Sequence, residues 1–200
     1  MTRVLVLHSA DLLRSALEAL LRTHGTLEVL PAQDHRRGAP APEPPDVWVL
    51  DCECPDTADA LETLSRGGVA AGRGAALIVL ASEDRPGMLL RAFRAGALGY
   101  VNRGAPVPTL IEAIHQAAQG RRFVDTSLAA DFLRASEMPL STRELTVLSL
   151  AAEGGTAADI ARRLCLSTGT VRNYLAAATR KMGARNRMDA IRKSQRLGWL

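Results

Sequence analysis

The sequence predicts two domains of different class: an α/β domain with a five-stranded parallel sheet, then a small all-α domain of four helices. Up to residue 120, apolar runs alternate with helical periods, which is typical of a parallel sheet covered on both faces. After residue 140, only capped helical patterns follow. The charge divides in the same way. Residues 138–200 carry 11 Lys and Arg against 4 Asp and Glu, so the totals of 25 and 21 leave 14 against 17 for residues 1–137.

The strands of the first domain are predicted from short apolar runs. These runs cover residues 4–7, 27–30, 46–51, 76–80 and 98–102. Helices are predicted where apolar side chains recur at helical spacing, over residues 11–24, 57–64, 86–95 and 106–119. Prolines and a glycine between residues 38 and 45 would break a helix, so we expect a loop over residues 33–45.

The second domain is predicted to cover residues 140–200. Ser141 and Glu144 form a capping-box pair at the start of its first helix. Two short helices over residues 157–164 and 168–181, joined by a tight turn, describe a helix-turn-helix. A fourth helix begins near Asn186. Residues 121–139 connect the two domains, and we expect a short helix over residues 127–135 inside this linker.

Composition excludes several classes of protein. A chain with 47% hydrophobic and 23% charged residues can bury a core and is not disordered. The longest apolar run, residues 75–81, is too short to span a bilayer, and the first residues lack a signal peptide. We therefore expect a cytoplasmic protein with no membrane partner. Three cysteines without a CxxC pair predict neither a disulfide framework nor a zinc site. No catalytic spacing or phosphate loop indicates an enzyme or a cofactor.

The second helix of the helix-turn-helix has one apolar face and one polar face. Four apolar side chains share the face expected to pack inward: Val171, Leu175, Ala178 and Met182. Five residues are then expected to face outward: Thr168, Gly169, Arg172, Asn173 and Ala176. An exposed Arg beside an exposed Asn suits the base edges of guanine and adenine. Four further residues are interpreted as phosphate contacts: Ser167, Thr170, Arg180 and Lys181. By spacing alone, a solvated polar helix face is the alternative.

Residues 140–200 resemble the LuxR/NarL-type tetra-helical DNA-binding domain. The resemblance rests on L-[ST]-x-R-E-x-x-V-L, then I-A-x-x-L-x-[LI]-S-x-x-T-V-[RK], then R-x-x-A-I, in the order of the family. It implies a transcription factor that binds double-stranded DNA as a homodimer on a two-fold operator. It also implies dimerisation through the last helix, here Met188 and Ile191. At Ala176 the family often has a polar or basic side chain, so one base contact is expected to be missing.

Residues 1–120 resemble the receiver domain of NarL/FixJ-type response regulators, which has a CheY-like, flavodoxin-type fold. Pro45-Asp46-Val-Trp-Val-Leu-Asp51 matches the strand that ends at the phospho-acceptor aspartate, and Arg94-Ala-Gly-Ala-Leu-Gly-Tyr100 matches the segment leading to the fifth strand. The resemblance implies a two-component response regulator with Asp51 as the acceptor. Tyr100 keeps the aromatic position that the family associates with its switch.

The rest of the phosphorylation chemistry is missing from this receiver. The family holds Mg²⁺ with an acidic pair that aligns with His8 and Ser9, neither of which is an anionic oxygen ligand. Arg103 stands at the family's lysine position. Ala81 stands at its hydroxyl position, with Ser82 next in the chain. The resemblance thus implies an atypical receiver, and we expect neither bound Mg²⁺ nor efficient phosphorylation of Asp51. Asp51 is instead expected to be a buried carboxylate paired with Arg103.

The sequence leaves the mode of control open. An unknown small molecule could bind the altered pocket, or the chain could dimerise constitutively and be controlled by its expression level alone. A protein partner could also contact the helix over residues 86–95 and the strand around Tyr100. Two other functions also stay open: a conventional response regulator switched by phosphorylation of Asp51, and an adaptor or anti-activator that works through protein contacts.

Overall fold

The computed structural model describes residues 1–31, 44–54, 60–61 and 74–200. The chain forms two compact units, one of Met1–Glu83 with Leu89–Phe132 and one of Asp84–Met88 with Leu133–Leu200. Most of the loop expected over residues 33–45 and most of the helix expected over residues 57–64 lie outside the described residues.

Six parallel strands of the described chain form the sheet of the first unit. They are β1 (Thr2–Leu7), β2 (Leu27–Val29), β3 (Val47–Asp51), β4 (Ala76–Ala81), β5 (Gly99–Asn102) and β6 (Phe123–Val124). Their order in the sheet is β2-β1-β3-β4-β5-β6. Beside β1 the chain places β2 on one side and β3 to β6 on the other, so the direction in which strands are added reverses between β1 and β3. At such a switch point, the carboxyl ends of the strands form a crevice in which ligands bind.

The predicted fold class is confirmed, but the sheet has six strands among the described residues rather than five. The sixth, β6, pairs in parallel with β5, with Gly99 opposite Phe123 and Tyr100 opposite Val124. The Phe123 N–H donates to the Leu98 carbonyl at 2.9 Å. A strand of two residues is too short to show an apolar period in the sequence. Backbone hydrogen bonds to β5 define it instead.

Helices follow most of the strands along the chain. They are α1 (Asp11–Arg22), α2 (Pro86–Arg94), α3 (Val107–Ala118) and, after β6, a 3₁₀ turn (Thr126–Leu128) and α4 (Ala129–Ser136). The buried face of α3 carries Leu110, Ile111 and Ile114, which pack in one core with Val4 and Val6 of β1. Pro86 begins α2, where its missing N–H costs little. Within the part of the chain that the structure describes, no helix is long and apolar enough to cross a membrane.

The second unit contains the four helices predicted from the capping signals. They are α5 (Thr142–Ala152), α6 (Ala157–Leu164), α7 (Thr168–Lys181) and α8 (Arg187–Arg196). Each begins with a polar N-cap whose side chain accepts a backbone N–H: Ser141, Thr156, Ser167 and Asn186. The chain leaves α6 at Cys165 in the left-handed conformation, with φ of 54°. Helices α6 and α7 therefore form the helix-turn-helix.

Candidate functional site

Asp51 lies at the carboxyl edge of the sheet, where the chemistry of this fold is expected. It is the last residue of β3 and only 2% of its surface is exposed. His8 directly follows β1 and Arg103 directly follows β5. The Arg103 Nε donates to Asp51 Oδ2 at 2.8 Å, so the expected ion pair is present.

The other contacts of Asp51 come from His8 and from its own loop. His8 Nε2 lies 3.1 Å from the same oxygen, Oδ2, that accepts from Arg103. The backbone N–H of Glu53 donates to the second oxygen, Oδ1, at 2.8 Å. Arg103 Nη1 also donates to Glu53 Oε2 at 2.9 Å. Arg103 therefore joins two carboxylates, and both oxygens of Asp51 accept hydrogen bonds.

The protonation of the His8 ring follows from its second contact. The backbone N–H of Ala10 donates to His8 Nδ1 at 2.9 Å. A nitrogen that accepts a hydrogen bond carries no proton, so the ring proton lies on Nε2. Nε2 is also the ring nitrogen that lies 3.1 Å from Asp51 Oδ2.

The residues around Asp51 do not fit the Mg²⁺ ion that receiver domains use. Mg²⁺ requires oxygen ligands in near-octahedral geometry, whereas two nitrogen atoms, Arg103 Nε and His8 Nε2, lie 2.8 and 3.1 Å from Asp51 Oδ2. Among the described residues, one group of possible ligands lies here, His8, Asp51 and Cys54, which offer one nitrogen, one oxygen and one sulfur atom. The nearby acid Asp11 begins α1, as expected, and its carboxylate pairs with Arg14 at 2.6 Å.

The remaining predicted residues of the pocket bring little polar chemistry. Ser9 is exposed, and its backbone N–H donates to Cys54 Sγ at 3.4 Å. Ala81 is 1% exposed at the end of β4, where it offers only a methyl group. Ser82 follows it and is half-buried. Cys54 was not predicted as part of this site, because nothing in the sequence shows that its loop returns to residue 9.

Tyr100 lies inside the first unit and not at the pocket surface. Its side chain is fully buried, and its hydroxyl donates to the Ala97 carbonyl at 2.9 Å. The Phe132 ring meets it edge-on, with ring centroids 4.8 Å apart. Burial raises the pKa of the Tyr100 hydroxyl to about 12. The ring is therefore held in an inward position by a hydrogen bond and an aromatic contact.

The recognition helix α7 presents the side chains predicted for DNA contact. Val171, Leu175 and Ala178 are buried in the core of the second unit. Five predicted contact residues are exposed: Arg172, Asn173, Ala176, Arg180 and Lys181. Gly169 is also exposed, and Thr168 is half-buried. The polar face predicted from spacing is therefore a surface of the unit, available to a duplex.

Three of the residues interpreted as phosphate contacts also have partners within the protein. Ser167 caps α7 by accepting the Thr170 N–H at 3.0 Å, and the two hydroxyls lie 2.8 Å apart. Lys181 Nζ lies 2.8 Å from Glu144 Oε2. Glu144 was predicted only as a capping residue of α5, and its reach to α7 could not be found from local sequence.

The two residues predicted for dimerisation differ in their exposure. Met188 is 55% exposed on α8, whereas Ile191 is 4% exposed in the core of the unit. The expectation that Ile191 lies at a dimer surface is therefore wrong for this structure. Ile191 and Ala190 share the inward face of α8, so the apolar side chain serves the core.

Known bacterial regulatory proteins are similar to this chain in both of its domains. The family described as "Bacterial regulatory proteins, luxR family" matches residues 138–194. The response regulator RamR of Streptomyces coelicolor is 50% identical over 100% of this chain and 98% of its own length. The transcriptional regulatory protein DesR of Bacillus subtilis is 32% identical over 100% of this chain and 99% of its own length.

Solved structures share the fold over nearly the whole chain. ChrA, the response regulator of a heme-sensing two-component system, matches with a TM-score of 0.54 and 26% identity over 99% of this chain and 98% of its own. The structure of the response regulator RcsB in complex with DNA matches with a TM-score of 0.63 and 20% identity over 98% of each chain. RamR and DesR match this chain over its whole length, and the LuxR-family model matches its second domain. This chain therefore belongs to the NarL/FixJ-type response regulators, which are DNA-binding transcriptional regulators of the LuxR family.

Proposed function

We propose that this regulator binds a two-fold operator as a homodimer and that its receiver works without phosphorylation of Asp51. One observation supports the second part: Asp51 Oδ2 accepts a hydrogen bond from Arg103 Nε at 2.8 Å, and His8 Nε2 lies 3.1 Å from the same oxygen. In this proposal the receiver needs no Mg²⁺, because the guanidinium of Arg103 compensates the charge of the buried carboxylate.

The physical argument concerns charge. Transfer of a phosphoryl group to a carboxylate brings several negative charges together, and a metal ion normally offsets them. Here Asp11 pairs with Arg14, and the aligned positions hold His8 and Ser9. Both oxygens of Asp51 accept hydrogen bonds, so attack through either one would require that oxygen to release a donor. Both requirements raise the barrier to phosphorylation.

Intact-mass measurement tests this part of the proposal. We expect no phosphoryl addition when the chain is incubated with a small phosphodonor and Mg²⁺. A conventional receiver serves as the control for the donor, and a variant with His8→Asp, Ser9→Asp and Arg103→Lys restores the family's residues in this chain. Near-stoichiometric addition to the natural chain would favour the alternative, a response regulator switched through Asp51.

For DNA recognition we propose that Arg172 and Asn173 read base edges while Ser167, Thr170 and Arg180 contact the phosphate backbone. The support is the exposed polar face of α7 over a buried apolar one. A duplex selected from a random pool identifies the operator. Arg172→Ala is expected to cost about 1–3 kcal/mol of discrimination.

The rival function is an adaptor that keeps the helix-turn-helix but acts through protein contacts. It predicts that no sequence is enriched from the pool. Uniform, salt-sensitive weakening by Arg172→Ala would instead mean that this side chain contacts phosphate only.

The mode of control has a separate test. A thermal-shift screen with metabolites separates a small-molecule effector from constitutive dimerisation or control by a protein partner. Stabilisation that is lost in Arg103→Ala would favour an effector at the Asp51 pocket. If no metabolite stabilises the chain, control by expression level or by a partner is favoured.

A further inference from the structure

The ammonium group at the end of the recognition helix is held by a carboxylate of another helix. Lys181 is the last residue of α7, and its Nζ lies 2.8 Å from Glu144 Oε2 on α5. The Glu144 side chain is only 7% exposed, whereas that of Lys181 is 41% exposed. The contact thus joins a buried anion to a cation at the surface.

The same Glu144 oxygen also closes the start of α5. It accepts the Ser141 N–H at 2.7 Å, and the Glu144 N–H donates back to Ser141 Oγ at 3.3 Å, which completes a capping box. The hydrogen bond from Lys181 holds the pKa of the Glu144 carboxyl below its usual value. One charged oxygen therefore connects the first turn of α5 to the last turn of α7.

Lys181 lies far from the side chains proposed to read DNA, but it belongs to the same helix, α7. Lys181 is nine residues from Arg172, which is about 13.5 Å along a helix axis. Base readout requires its side chains to be held within about 0.5 Å of the productive geometry. A fixed C-terminal end therefore limits how far α7 can tilt about its buried residues, Val171 and Leu175.

We propose that Glu144 is a positioning residue for DNA recognition and that Lys181 serves this ion pair and not a DNA phosphate. Through Lys181, Glu144 sets the angle at which α7 presents Arg172 and Asn173. The inference rests on the proposed function, in which α7 reads base edges.

The proposal and simple electrostatics predict opposite changes in DNA affinity for the substitution Glu144→Gln. Glu144→Gln removes a negative charge from a basic DNA-binding unit, which by charge alone should tighten binding to a polyanion. Glutamine keeps the capping box, because its amide oxygen can accept the Ser141 N–H. If Glu144 positions α7, the same substitution weakens binding to the selected operator.

The experiment uses the full chain, the duplex selected from a random pool, and a scrambled duplex, each over a series of salt concentrations. We expect Glu144→Gln and Lys181→Met each to weaken specific binding by about tenfold, as for one lost base contact. Non-specific binding and the salt slope should change little, and the double variant should be no worse than either single one. Lys181→Arg should restore binding, because a guanidinium can also pair with the carboxylate.

Arg180→Met is the matched control, since Arg180 is the exposed neighbour of Lys181. It should weaken both duplexes and lower the salt slope by about 0.9, the value for one phosphate contact. If Lys181→Met behaves like Arg180→Met, or if Glu144→Gln tightens specific binding, the positioning role is wrong. Thermal melts ensure that every variant is measured while folded. Failure of the pool to yield any preferred sequence would instead overturn the proposed function itself.

Discussion

Asp51 is a buried carboxylate, since only 2% of the residue is exposed to solvent. A buried charge is costly unless it is paired and hydrogen-bonded. Arg103 supplies the opposite charge, His8 Nε2 lies 3.1 Å from the same oxygen, and the Glu53 N–H donates to the second oxygen. The chain itself thus provides the polar partners of this buried carboxylate.

The first prediction is that Arg103→Met destabilises the first unit by about 1–3 kcal/mol, because a buried acceptor loses its charged donor. Urea unfolding is followed by the fluorescence of Trp48 in a Trp199→Phe background, so that the remaining tryptophan reports on this unit. Combining Arg103→Met with Asp51→Asn should cost less than the sum of the two single effects. Strict additivity would show that the two side chains do not interact in solution.

The pairing of Asp51 with Arg103 could be predicted from sequence, because both positions follow strands whose carboxyl ends meet at one edge of the sheet. The role of His8 could not be derived in the same way. Its ring proton is placed on Nε2 by the Ala10 N–H, and that contact depends on how the chain turns between β1 and α1. A residue type alone does not carry this information.

At the scale of the element, Arg187 shows how a basic residue in a DNA-binding unit can serve the fold. Its Nη2 donates to the Ala151 carbonyl at 3.1 Å and to the Gly155 carbonyl at 3.0 Å. Ala151 lies in the last turn of α5, where helical carbonyls have no partner inside the helix, and Gly155 lies in the turn between α5 and α6. The first residue of α8 therefore donates both to the last turn of α5 and to the turn that follows it.

The second prediction follows from this contact. Arg187→Ala should destabilise the second unit by about 1–3 kcal/mol, since two part-buried carbonyls lose a charged donor. Thermal unfolding followed by Trp199 fluorescence in a Trp48→Phe background measures the effect. Arg192→Ala, an exposed change on the same helix, is the control and should leave the unfolding midpoint nearly unchanged.

The third prediction concerns acid. Because Lys181 lowers the pKa of Glu144 in the folded state, the ionised carboxylate stabilises the fold above its ordinary pKa of 4.5. This contribution is lost as the pH falls through the lower, folded-state pKa. Unfolding free energies measured from neutral to acidic pH should fall less steeply in Glu144→Gln. An unchanged slope would mean that Glu144 titrates alike in the folded and unfolded chain.

Strong periodic signals made most elements predictable. The apolar runs of β3 and β4 and the capping pairs of α5 and α6 are local, and each was found from the sequence. Features that depend on distant backbone were missed. They are the two-residue strand β6, the contact between α5 and α7, and the inward rotation of α8 that buries Ile191.

Two copies of this chain on a two-fold operator would meet through a self-complementary contact. Of the two α8 residues that the family resemblance assigned to this contact, Met188 is at the surface. A single exposed apolar side chain gives a modest contact, so the dimer is expected to form mainly when DNA holds both copies in place.

The fourth prediction is that Met188→Glu weakens binding to a duplex with both half-sites but not to a single half-site. The added charge would lie at the proposed contact between copies and repel its own symmetry mate. Leu133→Glu adds the same charge at another residue, 71% exposed, of the second unit. Electrophoretic mobility shifts on both duplexes separate the effects. Equal weakening by the two variants would exclude a special role for Met188.

The pairing of β6 with β5 bears on where the chain can be cut. A fragment that ends at residue 120 would lack Phe123 and Val124, and the backbone amides and carbonyls of Gly99–Asn102 would become an open strand edge. Open edges recruit other strands, and the product is aggregation. A fragment that ends after Ser136 keeps this edge covered, together with the Phe132 ring that packs on Tyr100. Expression of the isolated front half should therefore succeed with the longer fragment and yield insoluble material with the shorter one.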